Sequence, residues 1–157
     1  MQKIHPFLWF DTQAEEAMNF YVSVFKNSKA GEIIRYGEAG PGPKGAVMTA
    51  SFELDGQPFT ALNGGPHFKF TEAVSFSIDC HDQAEVDLYW DKLTADGGAP
   101  GQCGWLRDKY GLAWQVVPSE LRALVGDPDP AKADRAMAAM LQMTKIDLGK
   151  LRQAHAG

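Results

Sequence analysis

His5 is the side chain with the clearest capacity for chemistry in this sequence. An imidazole titrates near neutral pH, so it can serve as a general acid or base. Two interpretations stay open: a catalytic histidine, or one that is hydrogen-bonded to its neighbours or lies in a frayed terminus. A second histidine, His67, falls in the glycine-rich segment 64–67, where we expect it at the surface.

Two cysteines, Cys80 and Cys103, offer thiol chemistry. Cys103 has Arg107 and Lys109 close in sequence, and their charge would activate a thiol nucleophile if they were close in space. The alternative is that Cys103 is a small buried apolar residue, as lone cysteines often are. Two cysteines cannot supply a four-ligand zinc site alone, and their low number predicts a reduced, cytoplasmic protein.

One glycine motif is expected to be structural only. Residues 40–45 read Gly-Pro-Gly-Pro-Lys-Gly and match G-x-G-x-x-G literally. A dinucleotide site needs that motif between a strand and a helix, whereas here two prolines interrupt it and a strand-like run follows. The segment is predicted to be a loop. The sequence likewise shows no glycine-rich turn suited to S-adenosylmethionine, no P-loop and no H-E-x-x-H motif.

Alternating polar and apolar residues predict strands that line a polar cavity. An antiparallel sheet with one face in water would show the same alternation. Phe7 and Trp9, however, share the face of His5, and ligand pockets combine such aromatic rings with a few polar groups. The residues expected on the cavity side, besides Phe7 and Trp9, are His5, Thr49, Ser51, Thr60, Ser75, Ser77 and Gln115. The residues expected to pack under the helices are Phe52, Phe59, Phe76, Ile78 and Trp114.

The elements that position these residues are seven strands and five helices. Strands are predicted at 3–10, 31–36, 46–54, 57–63, 73–79, 101–106 and 112–118. Asp55-Gly56 predicts a tight hairpin, and residues 108–111 predict a turn that uses Gly111. One helix is expected to begin at a capping box, Thr12-x-x-Glu15, and the next at Asp82-x-x-Glu85, ending at residues 97–98.

The two halves of the chain repeat the same order of elements. Residues 13–15, Gln-Ala-Glu, recur 70 residues later as residues 83–85, and each half reads strand, helix, strand, strand, strand. The last strands match at a shift of 55. We therefore predict an α+β fold of two βαβββ modules followed by a helical tail. The tail is predicted as a short helix over 119–125, a helix over 131–143 with Asp129 as its N-cap, and a last helix from Asp147, all packing on the sheet or on a second subunit.

Length and composition fit this reading. The chain has 157 residues, 45% of them apolar, which predicts one globular domain divided into module one (1–63), a linker (64–72), module two (73–118) and the tail (119–157). The net charge of −5 argues against a nucleic-acid surface. No apolar run approaches the length of a membrane helix and no signal peptide is recognised, so we expect a cytoplasmic protein with no membrane or nucleic-acid partner.

Several segments resemble PhnB-like proteins of the vicinal oxygen chelate superfamily, often labelled 3-demethylubiquinone-9 3-methyltransferase. The superfamily includes glyoxalase I, bleomycin-resistance proteins and extradiol dioxygenases. The segments are residues 6–11 (Pro-Phe-Leu-Trp-Phe-Asp), 14–21, 62–66 (Leu-Asn-Gly-Gly-Pro) and 102–118. We expect the resemblance to extend through the helical tail. It implies that the two modules form curved, mixed, mostly antiparallel sheets around a cavity, and that the protein is a homodimer.

The resemblance also places four positions that hold a metal in other members of the superfamily. In this sequence they fall on His5, Thr60, Ser75 and Gln115. Hydroxyls and an amide are poor ligands for divalent transition metals, so we expect no tightly bound metal and no other cofactor.

Three functions remain open. In the first, the protein acts on a small oxygenated metabolite, with His5 as general base and with Gln115 and the hydroxyls orienting the substrate. In the second, it sequesters a ligand without turnover, as bleomycin-resistance proteins do. In the third, which rests on the family label alone, it is a methyltransferase.

Overall fold

The computed structural model describes residues 2–157 and divides the chain into two compact units. The first unit ends at Phe70 and the second is Thr71–Gly157. Each unit holds a four-stranded mixed sheet, and the order of elements within each is strand, helix, strand, strand, strand. The predicted α+β fold, with two βαβββ modules and a C-terminal helical tail, is therefore confirmed.

The first unit is built around a sheet with strand order β1-β4-β3-β2. β1 and β4 are parallel, whereas β3 pairs antiparallel with both β4 and β2. The elements are β1 (Phe7–Phe10), α1 (Ala14–Val24), β2 (Lys29–Arg35), β3 (Val47–Leu54) and β4 (Gln57–Asn63). The predicted Asp55-Gly56 hairpin joins β3 to β4, and both turn residues have positive φ angles, 48° and 79°, as a tight turn of this kind requires.

The second unit repeats this topology with strand order β5-β8-β7-β6 and adds the tail. Its elements are β5 (Ser75–Cys80), α2 (Gln83–Thr94), β6 (Ala99–Pro100), β7 (Trp105–Arg107), β8 (Ala113–Pro118), α3 (Leu121–Val125), α4 (Pro130–Met140) and α5 (Leu148–Ala156). Among residues 2–157, no helix has the length and apolar character needed to cross a membrane.

Two strand predictions were displaced. β1 begins at Phe7 rather than at residue 3, so His5 precedes the strand. The strand predicted over 101–106 begins only at Trp105, because Cys103 and Gly104 both have positive φ angles, 57° and 84°, and form a turn. The two-residue strand β6, which precedes that turn, was not predicted.

The predicted capping box at the start of α1 is wrong, because the cap comes from another strand. α1 begins at Ala14, and Gln13 at the N-cap position makes no side-chain cap hydrogen bond. The backbone N–H of Ala14 instead donates to Oδ1 of Asn63, at 2.8 Å. The side-chain nitrogen of Asn63 donates to the carbonyl of Val47 at 3.1 Å, so one amide joins the helix to the sheet.

The capping box of α2 is confirmed. The backbone N–H of Glu85 donates to the carboxylate of Asp82 at 2.9 Å, and the Glu85 carboxylate accepts from the backbone N–H of His81 at 2.6 Å. The helix ends at Thr94, before the glycine pair that was expected to end it.

The residues predicted to pack beneath the helices are on the apolar side of each sheet. In the first unit, the rings of Phe52 and Phe59 stack with centroids 5.4 Å apart, and Tyr21 of α1 stacks on Phe52 at 6.2 Å. In the second unit, Trp114 is buried and contacts Phe76 with ring centroids 5.6 Å apart. The aromatic residues of each strand therefore form the core beneath the helices. Their burial places the alternate, polar residues on the opposite face of each sheet.

Within the second unit, the tail packs on α2 and on the turn before β7. Gln83 on α2 bonds to it twice: its side-chain nitrogen donates to the carbonyl of Ile146 at 3.0 Å, and its oxygen accepts from the backbone N–H of Leu148 at 2.8 Å. The backbone N–H groups of Cys103 and Gly104 donate to tail carbonyls at 2.8 Å. The predicted N-cap Asp129 is confirmed, and Asp147, where the last helix was expected to begin, is the N-cap of α5. A buried cluster holds the three tail helices together, made of Leu121, Leu124, Ala136, Leu148 and Leu151.

Candidate functional site

The polar face of the first sheet brings three predicted site residues together. The register places Thr60 of β4 opposite Ser51 of β3 and beside Phe7 of β1. Nε2 of His5 lies 3.3 Å from the hydroxyl oxygen of Thr60, within hydrogen-bond distance. His5, Ser51 and Thr60 line one cavity of about 290 Å³, which we call the His5 cavity.

An ion pair lies at the edge of the His5 cavity. Nζ of Lys29 is 2.8 Å from a carboxylate oxygen of Glu53, and both side chains line the cavity. This hydrogen bond, together with the negative charge of Glu53, raises the pKa of Lys29. The two charges are partly exposed and offset each other, so the cavity wall carries no net charge from this pair.

The remaining predicted residues of the first unit have other surroundings. Phe7 is 57% exposed at the start of β1. Trp9 donates its indole N–H to the carbonyl of Gly65 at 2.9 Å and contacts Phe68 edge to face at 4.9 Å, so the segment after β4 covers its ring. Thr49 is half-buried on β3. The ligand-binding role of these residues stays a prediction.

The polar face of the second sheet holds the equivalent pair. The side-chain nitrogen of Gln115 on β8 donates to the hydroxyl of Ser75 on β5 at 3.0 Å. Ser77, two residues along β5, lies opposite Gln115 in the parallel register, and Trp105 of β7 lies opposite Gln115 on the other side. The four positions singled out from the sequence thus form two hydrogen-bonded pairs, one within each unit.

A larger cavity, of about 420 Å³, covers this face, and we call it the tail cavity. Ser77, Gln115 and Trp105 belong to its sheet side, and Leu121 and Met140 belong to its tail side. The complete lining also includes Asp79, Cys103, Val117, Pro118, Ser119, Arg122 and Val125. Several of these lining residues were not predicted as site residues. Asp79 could have been, because it continues the alternation of Ser75 and Ser77, whereas no pattern in the sequence placed the tail residues beside this sheet.

The two cysteines differ in environment. Cys103 is half-buried and lines the tail cavity. Cys80 is buried, and its burial raises the pKa of the thiol to about 12, so it stays protonated and unreactive at neutral pH. Cys80 therefore has the environment of a structural residue.

The glycine-rich segment 40–45 is a loop, as predicted. It joins the antiparallel strands β2 and β3, and the backbone N–H of Gly45 donates to the carbonyl of Tyr36 at 2.8 Å. The ring of Tyr36 fills the space beside Gly40 and Gly42, where a Cβ atom would come within 2.6 Å of it. Part of this loop, with His67, lines another cavity of about 480 Å³ in the first unit, and His67 is exposed as expected.

Comparisons with known proteins agree with this architecture. A family model described as 3-demethylubiquinone-9 3-methyltransferase matches residues 2–117. A solved PhnB protein from Bacillus cereus is 41% identical, aligns over 74% of this chain and 99% of its own, and has a TM-score of 0.68. Among curated proteins no match was found.

Two more distant structures share the fold only. Protein PA1353 from Pseudomonas aeruginosa is 21% identical over 74% of this chain and 96% of its own, with a TM-score of 0.61. The fosfomycin resistance protein FosX from Listeria monocytogenes, complexed with Mn(II) and sulfate, is 16% identical over 78% of this chain and 94% of its own, with a TM-score of 0.51.

The family match stops at residue 117, so the expectation that the resemblance extends through the helical tail was wrong. The tail is an addition to the matched region rather than part of it. Over the two βαβββ modules, the family model and the Bacillus cereus structure agree in extent with the repeated topology. The chain therefore belongs to the 3-demethylubiquinone-9 3-methyltransferase family of PhnB-like proteins.

Proposed function

We propose that this protein binds a small oxygenated metabolite on the polar faces of its sheets, without a tightly bound metal. One observation carries the proposal: the four positions that hold a metal in other members of the superfamily carry polar side chains, and these form two hydrogen-bonded pairs. His5 pairs with Thr60 at 3.3 Å, and Gln115 pairs with Ser75 at 3.0 Å. Such groups donate and accept hydrogen bonds from hydroxyl and carbonyl oxygens of a ligand.

The donor set does not fit a resident metal ion. A divalent transition metal requires imidazole, carboxylate or thiolate ligands, and the four positions provide one imidazole, two hydroxyls and one amide. Over residues 2–157, no group of three or more His, Cys, Asp or Glu side chains is arranged to hold a metal. We therefore derive no catalytic step through a metal.

S-adenosylmethionine, which the family label suggests, does not fit the glycine-rich segment either. That segment connects two antiparallel strands and begins no helix, so it lacks the helix N-terminus that nucleotide-type sites use. The methyltransferase hypothesis therefore has the weakest support of the three.

The role of His5 distinguishes a catalytic version of this proposal from a sequestering version. In the catalytic version, the imidazole takes a proton from a metabolite bound in the His5 cavity, while the Thr60 hydroxyl orients the ring. Gln115 would hydrogen-bond a ligand on the polar face of its own sheet. In the sequestering version, the same groups only bind. The hydrogen-bonding capacity of all four side chains supports binding in both versions.

The first test is the metal content of tag-free protein purified without chelators, measured by elemental mass spectrometry. We expect far less than one equivalent per chain. Near-stoichiometric zinc, nickel, iron or manganese that is lost in His5→Ala would refute the metal-free proposal. His81→Ala is the matched control, because His81 is exposed and lies outside the His5 cavity.

The second test is incubation with a panel of small hydroxy and oxo compounds, followed by mass spectrometry. Consumption of one compound by the wild type, reduced about 10²–10⁴-fold in His5→Ala and unchanged in His81→Ala, would support the catalytic version. Binding without consumption would support sequestration. Absence of binding, or binding unaffected by both His5→Ala and Gln115→Leu, would refute the proposed site.

We also propose that the protein is a homodimer. In the first unit, Ile4, Phe7 and Phe68 are 89%, 57% and 66% exposed, and exposed large apolar side chains favour an interface when they form a patch. A second copy of the chain would cover them. Light scattering coupled to gel filtration should give twice the chain mass of 17.2 kDa, and Phe7→Ser should shift it toward the monomer.

A further inference from the structure

We infer that the helical tail builds one wall of a ligand site, the tail cavity, and selects an uncharged amphipathic molecule with an aromatic or branched apolar body. The inference rests on the proposed function in one respect, namely that the polar end of the ligand engages Gln115. What it adds is a binding wall from residues beyond the family match and the class of ligand that this wall accepts.

The tail cavity has one polar and one apolar side. Ser77 and Gln115 provide hydroxyl and amide groups from the sheet, with the Trp105 ring beside them. Leu121, Val125 and Met140 provide an apolar surface from the tail. The bond from Gln115 to Ser75 uses one amide hydrogen and fixes the side chain, and an amide has a second hydrogen and an oxygen to offer a ligand.

Charge in the cavity favours an uncharged ligand. Among the described residues that line it, Asp79 is the acidic side chain and Arg122 the basic one, and both are exposed. One charge of each sign gives no net attraction for an ion. The volume of about 420 Å³ lies within the range of small-molecule sites and suits a body of one or two rings.

The wall is fixed to the sheet rather than loosely apposed. Gln83 makes two hydrogen bonds to the tail backbone, and the N–H groups of Cys103 and Gly104 make two more. Leu121 belongs to the buried cluster that holds the tail helices together, and Met140 packs against that cluster. A ligand therefore meets a preformed surface, which lowers the entropic cost of binding.

Because the family match ends at residue 117, all of Leu121, Val125 and Met140 lie outside it. The sheet side of the cavity belongs to the matched modules, and the wall belongs to this chain's addition. The tail thereby restricts a general polar face to ligands that also carry an apolar body.

The probe for this inference is N-phenyl-1-naphthylamine, an uncharged aromatic amine whose fluorescence rises in an apolar site. We expect saturable binding to the full-length wild type. Met140→Ala should weaken the affinity about tenfold, because it removes most of an apolar contact. Met137→Ala is the matched control, since Met137 is exposed on the same helix and is absent from the cavity lining.

Cys103 reports on the same cavity independently. A thiol reagent should modify Cys103 in the folded protein, and bound probe should slow that reaction, because Cys103 lines the cavity. Ser77→Trp should fill the cavity from the sheet side and abolish both probe binding and the protection of Cys103. Ala73→Trp, at an exposed position on the preceding segment, should leave both unchanged.

The outcomes separate the inference from the proposed function. If Met140→Ala and Met137→Ala bind the probe equally while Ser77→Trp abolishes binding, the tail wall is refuted and the polar sheet face remains. If the wild type does not bind the probe, or bound probe leaves Cys103 unprotected, the tail cavity is refuted as an amphipathic site. Neither result changes the test of His5→Ala with oxygenated metabolites, which concerns the His5 cavity of the other unit.

Discussion

Replacement of Asp108 should destabilise the second unit more than any surface change, because this carboxylate organises the turn before β8. Asp108 is 2% exposed. Its Oδ1 accepts the backbone N–H groups of Tyr110 and Leu112 at 2.9 and 3.1 Å, and its Oδ2 accepts the indole N–H of Trp114 at 2.9 Å. The turn delivers β8 in the register that sets Gln115 beside Ser75.

The magnitude follows from the donors that would lose their acceptor. Leu112 and Trp114 are buried, so in Asp108→Ala their two N–H groups would stay unsatisfied, at about 1–3 kcal/mol each. The N–H of Tyr110 lies in a part-buried turn and can reach water. We therefore expect a loss of about 4 kcal/mol in the free energy of unfolding, which lowers the melting temperature by roughly 8–16 °C in a chain of this size.

Urea denaturation followed by tryptophan fluorescence would measure this loss. Asp108→Asn adds a sharper test, because its amide keeps one oxygen for the backbone donors but turns an N–H₂ group toward the indole N–H. Trp114→Phe removes that indole donor, so the double variant Asp108→Asn, Trp114→Phe should lose less than the sum of the single losses, by about 1–2 kcal/mol. An additive double variant, or Asp108→Ala within about 1 kcal/mol of the wild type, would refute the reasoning.

Three further predictions concern other parts of the chain. Asn63→Ala should lower the free energy of unfolding by about 1–2 kcal/mol in urea, because α1 loses its cap, whereas Asn63→Asp keeps the acceptor and should lose less. Ellman's reagent should modify one thiol, Cys103, in the folded chain and two after unfolding, because burial raises the pKa of Cys80 to about 12. The Asp127 carboxylate accepts hydrogen bonds from the backbone N–H of Asp129 and from the imidazole of His155, and both lower its pKa. Stability from this group is therefore present above the unfolded pKa of about 4 and is lost as pH falls through the folded value, so Asp127→Asn should flatten the fall of melting temperature below about pH 4.

Sequence patterns predicted correctly those turns and helix caps whose hydrogen-bonding residues are close together in the sequence. The Asp55-Gly56 turn needs two residues with positive φ, and its prediction required nothing beyond those two residues and the flanking alternation. The cap of α2 is likewise closed within four residues, by Asp82 and Glu85. The repeat of elements then predicted two βαβββ modules, whereas the arrangement of the strands in mixed sheets was expected from the family resemblance.

The failures arose where a distant residue takes over a local role. Thr12-x-x-Glu15 has the pattern of a capping box, yet Asn63, at the end of β4, occupies the position of the acceptor. Only the parallel pairing of β1 with β4 brings that amide to the start of α1. The turn at Cys103 escaped prediction because a cysteine with positive φ has no sequence signature of its own.

For the candidate site, the sequence could predict which residues share a face of a sheet, but not which loops and helices cover that face. Strand alternation placed seven polar residues on the cavity side, and the family resemblance together with the repeat singled out the four that form the two hydrogen-bonded pairs. Alternation could not show that the ring of Trp9 would be covered by the segment after β4, since that depends on the path of a loop. It also could not place Leu121 or Met140 over the second sheet, because the helical pattern of the tail says which face is apolar and not what that face meets.

The two units therefore share the βαβββ scaffold, but their polar pairs lie in different environments. Each sheet presents a polar pair at the same places in the βαβββ order, but the first unit places His5 at an exposed edge and the second places Gln115 beneath the tail. A proton-transferring group benefits from access to water, whereas a group that fixes a ligand by hydrogen bonds gains strength where water is excluded. Duplication followed by the addition of the tail would separate these two roles, so His5→Ala should affect turnover of a metabolite in the His5 cavity, whereas Gln115→Leu and Met140→Ala should affect affinity for a ligand in the tail cavity.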